Sequence, residues 1–273
     1  MCATCGCGDP DAPMKHEHHG HEHGHDHDHA HDHDHDHAHE HDHDHAAPHI
    51  HVTRPAKTIA LERDVLAKNN ILAERNRGWF AGRDIFALNV MSSPGSGKTT
   101  LLEKTIARLG GKTPVSVIEG DQATQRDAER IRAAGAAALQ INTGTGCHLD
   151  AQMLADGLKV LNPQAGSIVI IENVGNLVCP ALFDLGERVK VVVVSVTEGE
   201  DKPIKYPHMF KASDVLVLNK IDLLPYVQFD TARFFEHVAH VNPGLRTFQV
   251  SALRGDGLDA WCGWLRDGVA ASA

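Results

Sequence analysis

Residues 85–109 read IFALNVMSSPGSGKTTLLEKTIARL: a run fit for a buried strand, a small-residue loop and a helical pattern in direct succession. No other stretch limits the fold so tightly. In Ser92-Ser93-Pro94-Gly95-Ser96-Gly97-Lys98-Thr99-Thr100 the spacing matches a phosphate-binding loop, except that Ser92 stands where the pattern's first glycine belongs. A strand feeding such a loop into a helix lets backbone N–H groups and the helix N-terminus cradle phosphates together. Gly95, Ser96, Gly97 and Thr100 would wrap the phosphates. Lys98 would reach the β- and γ-phosphates, and the Thr99 hydroxyl would hold Mg²⁺.

A loop of this kind needs a parallel sheet, and the rest of the chain supplies one. Short apolar runs at 115–119, 137–141, 167–172, 189–196, 215–219 and 247–251 alternate with helical patterns. Strands buried on both faces and separated by helices indicate an α/β domain with a mostly parallel sheet. Upstream, Ile59, Leu61, Val65, Leu66, Ile71 and Leu72 recur at helical spacing, predicting an amphipathic helix that Gly78 ends near Arg77. The expected organisation is a P-loop NTPase domain with an N-terminal helix over 56–273, preceded by a disordered Cys- and His-rich arm over 1–55.

That arm explains the composition. Eighteen of the 22 histidines lie between His16 and His51, alternating mainly with aspartate. Residues 1–51 carry nine Asp and three Glu against one Lys, a formal charge of −11 within the chain's −10. The body is therefore close to neutral, and its lack of a basic surplus argues against nucleic-acid binding. The arm offers too little apolar surface to offset chain entropy. No run approaches the roughly 18 apolar residues that span a bilayer. With no apolar secretory region at the N-terminus, the expected compartment is the cytoplasm, where six cysteines are thiols or ligands rather than disulfides.

The base is read further along. The run at 215–219 ends in Asn219-Lys220-Ile221-Asp222. A carboxylate at Asp222 accepts from N1–H and the 2-amino group of guanine, whereas adenine would leave it unpaired at a cost. The Lys220 stem can pack over the base. Asn-Lys-x-Asp is common by chance, and a solvated charged turn is the bland alternative; its place at a strand end beyond a phosphate loop favours GTP. Ser251 and Ala252 fit a further loop whose backbone N–H would meet guanine O6. Asp121 and Glu172 end two strand runs at the sheet edge where ligands of open α/β folds bind. Asp121 is expected to contact Mg²⁺, and the Gly175 N–H the γ-phosphate. With no obvious glutamine or arginine finger, intrinsic hydrolysis is expected to be slow.

Three further residues have ligand chemistry. Cys147 and His148 lie in the loop TGTGCHLD, and Cys179 follows Glu172 in ENVGNLVCP. Thiolate and imidazole donors suit Ni²⁺ or Zn²⁺. A lone Cys is more often a small buried hydrophobe, but an adjacent Cys-His pair in a loop favours a ligand. Three donors fall short of a closed tetrahedral site, leaving the fourth to water or a second subunit. Cys262 reads as packing.

Together, SSPGSGKTTLL, EGDQAT, TGTGCHLD, ENVGNLVCP and NKIDLLP resemble the HypB family of hydrogenase nickel-incorporation GTPases. The likeness covers 57–273 almost continuously. The related UreG family carries its metal ligands in Cys-Pro-His, which is not found here. The resemblance implies GTP-dependent homodimerisation, a metal site at the dimer interface on Cys147, His148 and Cys179, and nickel delivery to [NiFe]-hydrogenase. Expected partners are a HypA-type zinc-containing maturation protein and the hydrogenase large-subunit precursor. A GTPase for another metallocentre, or a nickel store served mainly by the arm, are the competing expectations. Cys2, Cys5 and Cys7 with the chain's α-amine, on Met1 or on Cys2 after processing, would suit square-planar Ni²⁺. The histidine tract would bind several Ni²⁺, Zn²⁺ or Cu²⁺ ions without selecting nickel.

Overall fold

In a computed structural model, the first strand, β1 (Phe86–Ser92), is buried along its whole length. It therefore needs strands on both edges and helices on both faces. The structure describes residues 56–121, 126–144, 148–176 and 179–272, without the side chains of 56–63, Asp121 and Cys179. The arm with Cys2, Cys5, Cys7 and the histidine tract lies outside the described residues, as does Cys147.

Helix α1 (Ala56–Ala81) precedes β1, and α2 (Lys98–Leu109) follows the phosphate-type loop. Next come β2 (Val115–Asp121), α3 (Arg126–Ala133), β3 (Ala137–Asn142), α4 (Ala151–Leu161), β4 (Ile168–Glu172) and the short α5 (Cys179–Leu182). The second half runs β5 (Val189–Ser195), α6 (Lys202–Lys205), α7 (Pro207–Ala212), β6 (Val215–Asn219), α8 (Thr231–Val241), β7 (Arg246–Gln249) and α9 (Leu258–Ala270). All seven strands expected from the apolar runs are present. They form one parallel sheet in the order β3-β2-β4-β1-β5-β6-β7.

The order positions the site. The chain leaves β1, passes over β4 to build β2 and β3, and returns to insert β4 between β2 and β1. The carboxyl ends of β1, β2 and β4 thus lie side by side, with Glu172 in register with both Val90 and Glu119. Crevices outside such strand ends are where open α/β sheets bind ligands. Alternate residues of β1 feed the two faces. Phe86, Leu88 and Val90 pack with Leu101, Leu102, Trp261 and Leu265. Ala87 meets Phe80, Leu149 and Leu154, while Met91 meets Met209, Phe210 and Phe234. Cys262 is fully buried in the first of these layers. Among the described residues, no helix is long and apolar enough to cross a membrane.

Three expectations need correcting. Helix α1 does not stop before Gly78: it runs on to Ala81, because burying Phe80 against the sheet outweighs the modest cost of an exposed glycine. Its buried face is also not the aliphatic stripe. Among its described side chains, Val65 and Ile71 are 47% and 60% exposed, Leu66 and Leu72 are half-buried, and the buried positions are Asn69, Ala73, Asn76 and Phe80. The two asparagines are buried because each finds backbone partners. The last strand also ends early, at Gln249: Val250 N–H still donates to the Leu218 carbonyl at 2.8 Å, and from Ser251 the chain turns into a loop closed by Ser251 N–H on the Asp256 carbonyl.

Candidate functional site

The loop between β1 and α2 borders a cavity of about 420 Å³. Its walls are residues 92–100, Glu119 and Gly120 from β2, Glu172 to Gly175 from β4, and Asp127 and Arg130 from α3. Gly97 caps α2 with φ +89°, and a Cβ there would lie 2.7 Å from Asn219 Nδ2, so both the backbone and the space require glycine. Lys98 Nζ donates to the Asn173 carbonyl at 2.6 Å and lies 3.0 Å from Glu172 Oε1. Thr99 Oγ1 donates to that same carboxylate oxygen at 2.9 Å. Glu172 is 2% exposed, and its second oxygen, Oε2, has no hydrogen-bond partner. The hydroxyls of Ser93 and Ser96 are buried and unpaired as well. Unpaired buried polar atoms converging on one cavity are costly unless a ligand completes them. The set of oxygen donors on Thr99 and Glu172 fits a hard divalent cation.

The second half of the site forms where β6 ends. Asn219 Nδ2 donates to the Ser96 carbonyl at 3.0 Å, and its Oδ1 accepts from Ala252 N–H at 3.1 Å. One side chain therefore ties the phosphate-type loop to the loop after β7. Lys220, in the left-handed region at φ +62°, donates to the Gly95 carbonyl at 2.7 Å. Asp222 is nearly buried, and its Oδ1 accepts from Ser251 Oγ at 2.6 Å. The Ala252 N–H, expected to face a base, is spent on Asn219.

The candidate metal segments also approach one another. The ring of His148 lies on Phe183, centroids 3.9 Å apart, bringing the stretch after Cys147 against the stretch after Cys179. Burial holds the His148 imidazole below its ordinary value, partly opposed by Asp150, which favours the neutral form that binds metals. Among the described residues, no cluster of three His, Cys, Asp or Glu forms a metal site. Cys147 and the side chains of Cys179 and Asp121 lie outside those residues.

Both segments are clasped by α1. Asn69 Oδ1 accepts from Ala151 N–H at 2.9 Å, and its Nδ2 donates to the Asp184 carbonyl at 2.6 Å. Asn76 Nδ2 donates to the carbonyls of Ala151 at 2.9 Å and Leu185 at 3.0 Å. Arg77 donates to the Glu187 carbonyl at 2.8 Å and pairs with Asp184. Gly186 passes so close to Ala73 that a Cβ there would strike the helix backbone.

The comparisons agree with this geometry. The family model described as "CobW/HypB/UreG, nucleotide-binding domain" matches residues 86–249. The hydrogenase maturation factor HypB of Escherichia coli K12 is 56% identical over 220 residues, covering 81% of this chain and 76% of that protein. This chain belongs to the HypB family of hydrogenase maturation factors. The crystal structure of HypB from Archaeoglobus fulgidus superposes with a TM-score of 0.70 at 40% identity, covering 75% of this chain and all of the other. HypB from Helicobacter pylori, solved in complex with nickel, gives 0.69 at 38% identity, with coverages of 75% and 96%. The domain is accordingly a P-loop NTPase fold of the HypB family.

Motif reading missed several residues of the site. Arg130 borders the cavity and donates to Thr100 Oγ1 at 3.2 Å, yet in sequence it is one charge among many on α3. Asn173, its buried partner Asn89 and the Glu187 that Asn89 bonds carried no motif signal: Asn89 is one polar residue in IFALNVM, and Glu187 one charge in DLGERVK.

Proposed function

We propose that this chain is a GTP-hydrolysing nickel metallochaperone that stores nickel and delivers it during [NiFe]-hydrogenase maturation in the cytoplasm. Guanine sits on Asp222, whose carboxylate Ser251 already orients, with the Lys220 stem over its face. The triphosphate lies in the cavity at the N-terminus of α2, where Lys98 and the backbone N–H groups of Gly95 to Thr100 hold it. Thr99 and Glu172, with Asp121 from the end of β2, are the residues that would hold Mg²⁺. Bound there, the ion would neutralise charge developing on the phosphate oxygens. Gly175 N–H meets the γ-phosphate and so senses it. Arg130 is occupied by Glu103 and Asp127, which fits slow intrinsic turnover. A single-turnover rate typical of activated GTPases would contradict that.

Nickel is the cargo. Cys147, His148 and Cys179 provide two thiolates and an imidazole, donors that also accept Zn²⁺. The observation that carries the reading is the seating of His148 on Phe183, which joins the segment after β3 to the segment that leads from β4 at the edge of the nucleotide cavity. The relative from Helicobacter pylori, solved with nickel, supports it. The arm adds a tight site at Cys2, Cys5 and Cys7 and a loose store in the histidine tract. GTP draws two copies together at the metal site, and the product of the cycle is nickel passed to a HypA-type protein or the hydrogenase large-subunit precursor. The fall of γ-phosphate contact at Gly175 releases the segment that carries Cys179, so nickel affinity differs between nucleotide states.

The test replaces His148→Ala and Cys179→Ser separately in the full chain. Each is expected to cut hydrogenase maturation at limiting nickel at least about tenfold while GTP hydrolysis continues. Undiminished maturation in both variants would remove the metal role.

A further inference from the structure

One buried residue touches both halves of the machinery, through its carbonyl on one side and its side chain on the other. Asn173 follows Glu172 at the carboxyl end of β4 and is 1% exposed. Its carbonyl accepts from Lys98 Nζ at 2.6 Å. Its side-chain Oδ1 accepts from Leu149 N–H at 3.2 Å and from Val174 N–H at 3.1 Å. Leu149 is the residue after His148, and Val174 the residue before Gly175. Behind it, Asn173 Nδ2 donates to Asn89 Oδ1 at 3.4 Å, Asn89 Nδ2 donates to Glu187 Oε1 at 3.1 Å, and Glu187 Oε2 accepts from Leu185 N–H at 2.7 Å. Asn89 and Glu187 are also buried, so the chain of bonds is fixed in place from behind.

We propose that Asn173 is the positioning residue that couples the phosphate side of the cavity to the loop carrying Cys147 and His148. The inference rests on the nickel-GTPase reading above and names a route through that site distinct from the Gly175-to-Cys179 segment. The physical argument is one of competition. A γ-phosphate draws Lys98 Nζ and the Gly175 N–H toward itself, and both are linked to the peptide on either side of Val174. Asn173 cannot follow that movement without changing its grip on the Leu149 N–H. A buried N–H left without an acceptor is costly, so Leu149 moves with Asn173 or repartners, and His148 moves with it. Coupling between two sites needs such a differential contact, and its usual size is about 5- to 150-fold in affinity.

The experiment reads nickel affinity at the domain in full-length protein with Cys2, Cys5 and Cys7 all changed to Ala. The signal is thiolate-to-nickel charge-transfer absorption, to which the imidazoles of the tract do not contribute. Affinity is measured with saturating GDP and with a non-hydrolysable GTP analogue, both with Mg²⁺. Wild-type residue 173 should show a ratio of about tenfold between the two states. Asn173→Ala should bring it below about twofold, while Asn173→Asp, which keeps an acceptor for Leu149 N–H, retains most of it. An unchanged ratio in N173A, or an equal loss in N173D, overturns the proposal. No nucleotide dependence with Asn173 intact would instead remove the switch on which it rests. Should N173A fail to fold, amide exchange decides in the wild-type chain: Leu149 must differ at least about threefold in protection between the two nucleotide states, and equal protection overturns the assignment.

Discussion

Removing Asn76 tests the clasp most directly. The side chain is 4% exposed, and its Nδ2 serves two carbonyls from different segments, Ala151 at the start of α4 and Leu185 before β5. Asn76→Ala deletes two neutral hydrogen bonds, each with a net value of about 1 kcal/mol, and leaves buried acceptors short of a donor at about 1–3 kcal/mol in total. The expected loss is about 3–5 kcal/mol. For a domain of this size, 1 kcal/mol moves the melting temperature by about 2–4 °C, so the variant should melt roughly 6–20 °C lower. Thermal unfolding of the full chain, followed by far-ultraviolet circular dichroism, is the assay. Asn76→Asp keeps the shape but has no Nδ2 donor, and should lose at least as much. Ile71→Ala, at a position 60% exposed, should stay within about 0.5 kcal/mol of the parent. If N76A melts with the parent, or I71A falls as far as N76A, α1 is held by its aliphatic stripe after all and the clasp is decorative.

Other outcomes follow from the same geometry. Asp222→Asn replaces an acceptor with a donor where the 2-amino group of guanine would sit; GTP affinity should fall about 100-fold and xanthosine triphosphate, with a 2-carbonyl, should bind better, as competition binding would show. Glu172→Gln removes the charge shared by Lys98 and Thr99 and should slow single-turnover hydrolysis about 100- to 1,000-fold; a drop below tenfold would exclude Glu172 from the reacting site. Burial raises the Glu187 carboxyl above its ordinary 4.5, with Lys190 pulling the other way. Because the folded-state value is the higher one, the stability from this group is complete below about pH 4.5 and is lost as pH rises through the folded value. Melting curves of the parent should therefore decline relative to Glu187→Gln across that window, and parallel curves would refute the assignment.

How much of this molecule is legible in its sequence depends on how local the physics is. The seven strands are legible because each is a short apolar run, and burial on both faces of the central ones leaves few polar positions, most of them at the carboxyl ends. The phosphate-type loop is legible because its glycines, lysine and threonine act through backbone geometry within nine residues. The aliphatic spacing of α1 misdirects, because hydrophobic burial alone is not what seats this helix. Asn69 and Asn76 lie inward because their amides match carbonyl and N–H groups 75 to 115 residues away, and no periodicity reports that. Asn173 shows the same limit at the site itself. In ENVGN it is an unremarked neighbour of Glu172, and only the return of the chain through β3 and α4 sets Leu149 N–H against its side chain. Motifs identify groups that act on a ligand. Groups that act on one another, across segments brought together by sheet order, acquire their meaning from the order β2-β4-β1, in which the last strand inserted carries the residues that touch everything around it. Coupling of the proposed kind passes through such inserted positions, and substitutions there should alter the relation between nucleotide and metal more than the affinity for either.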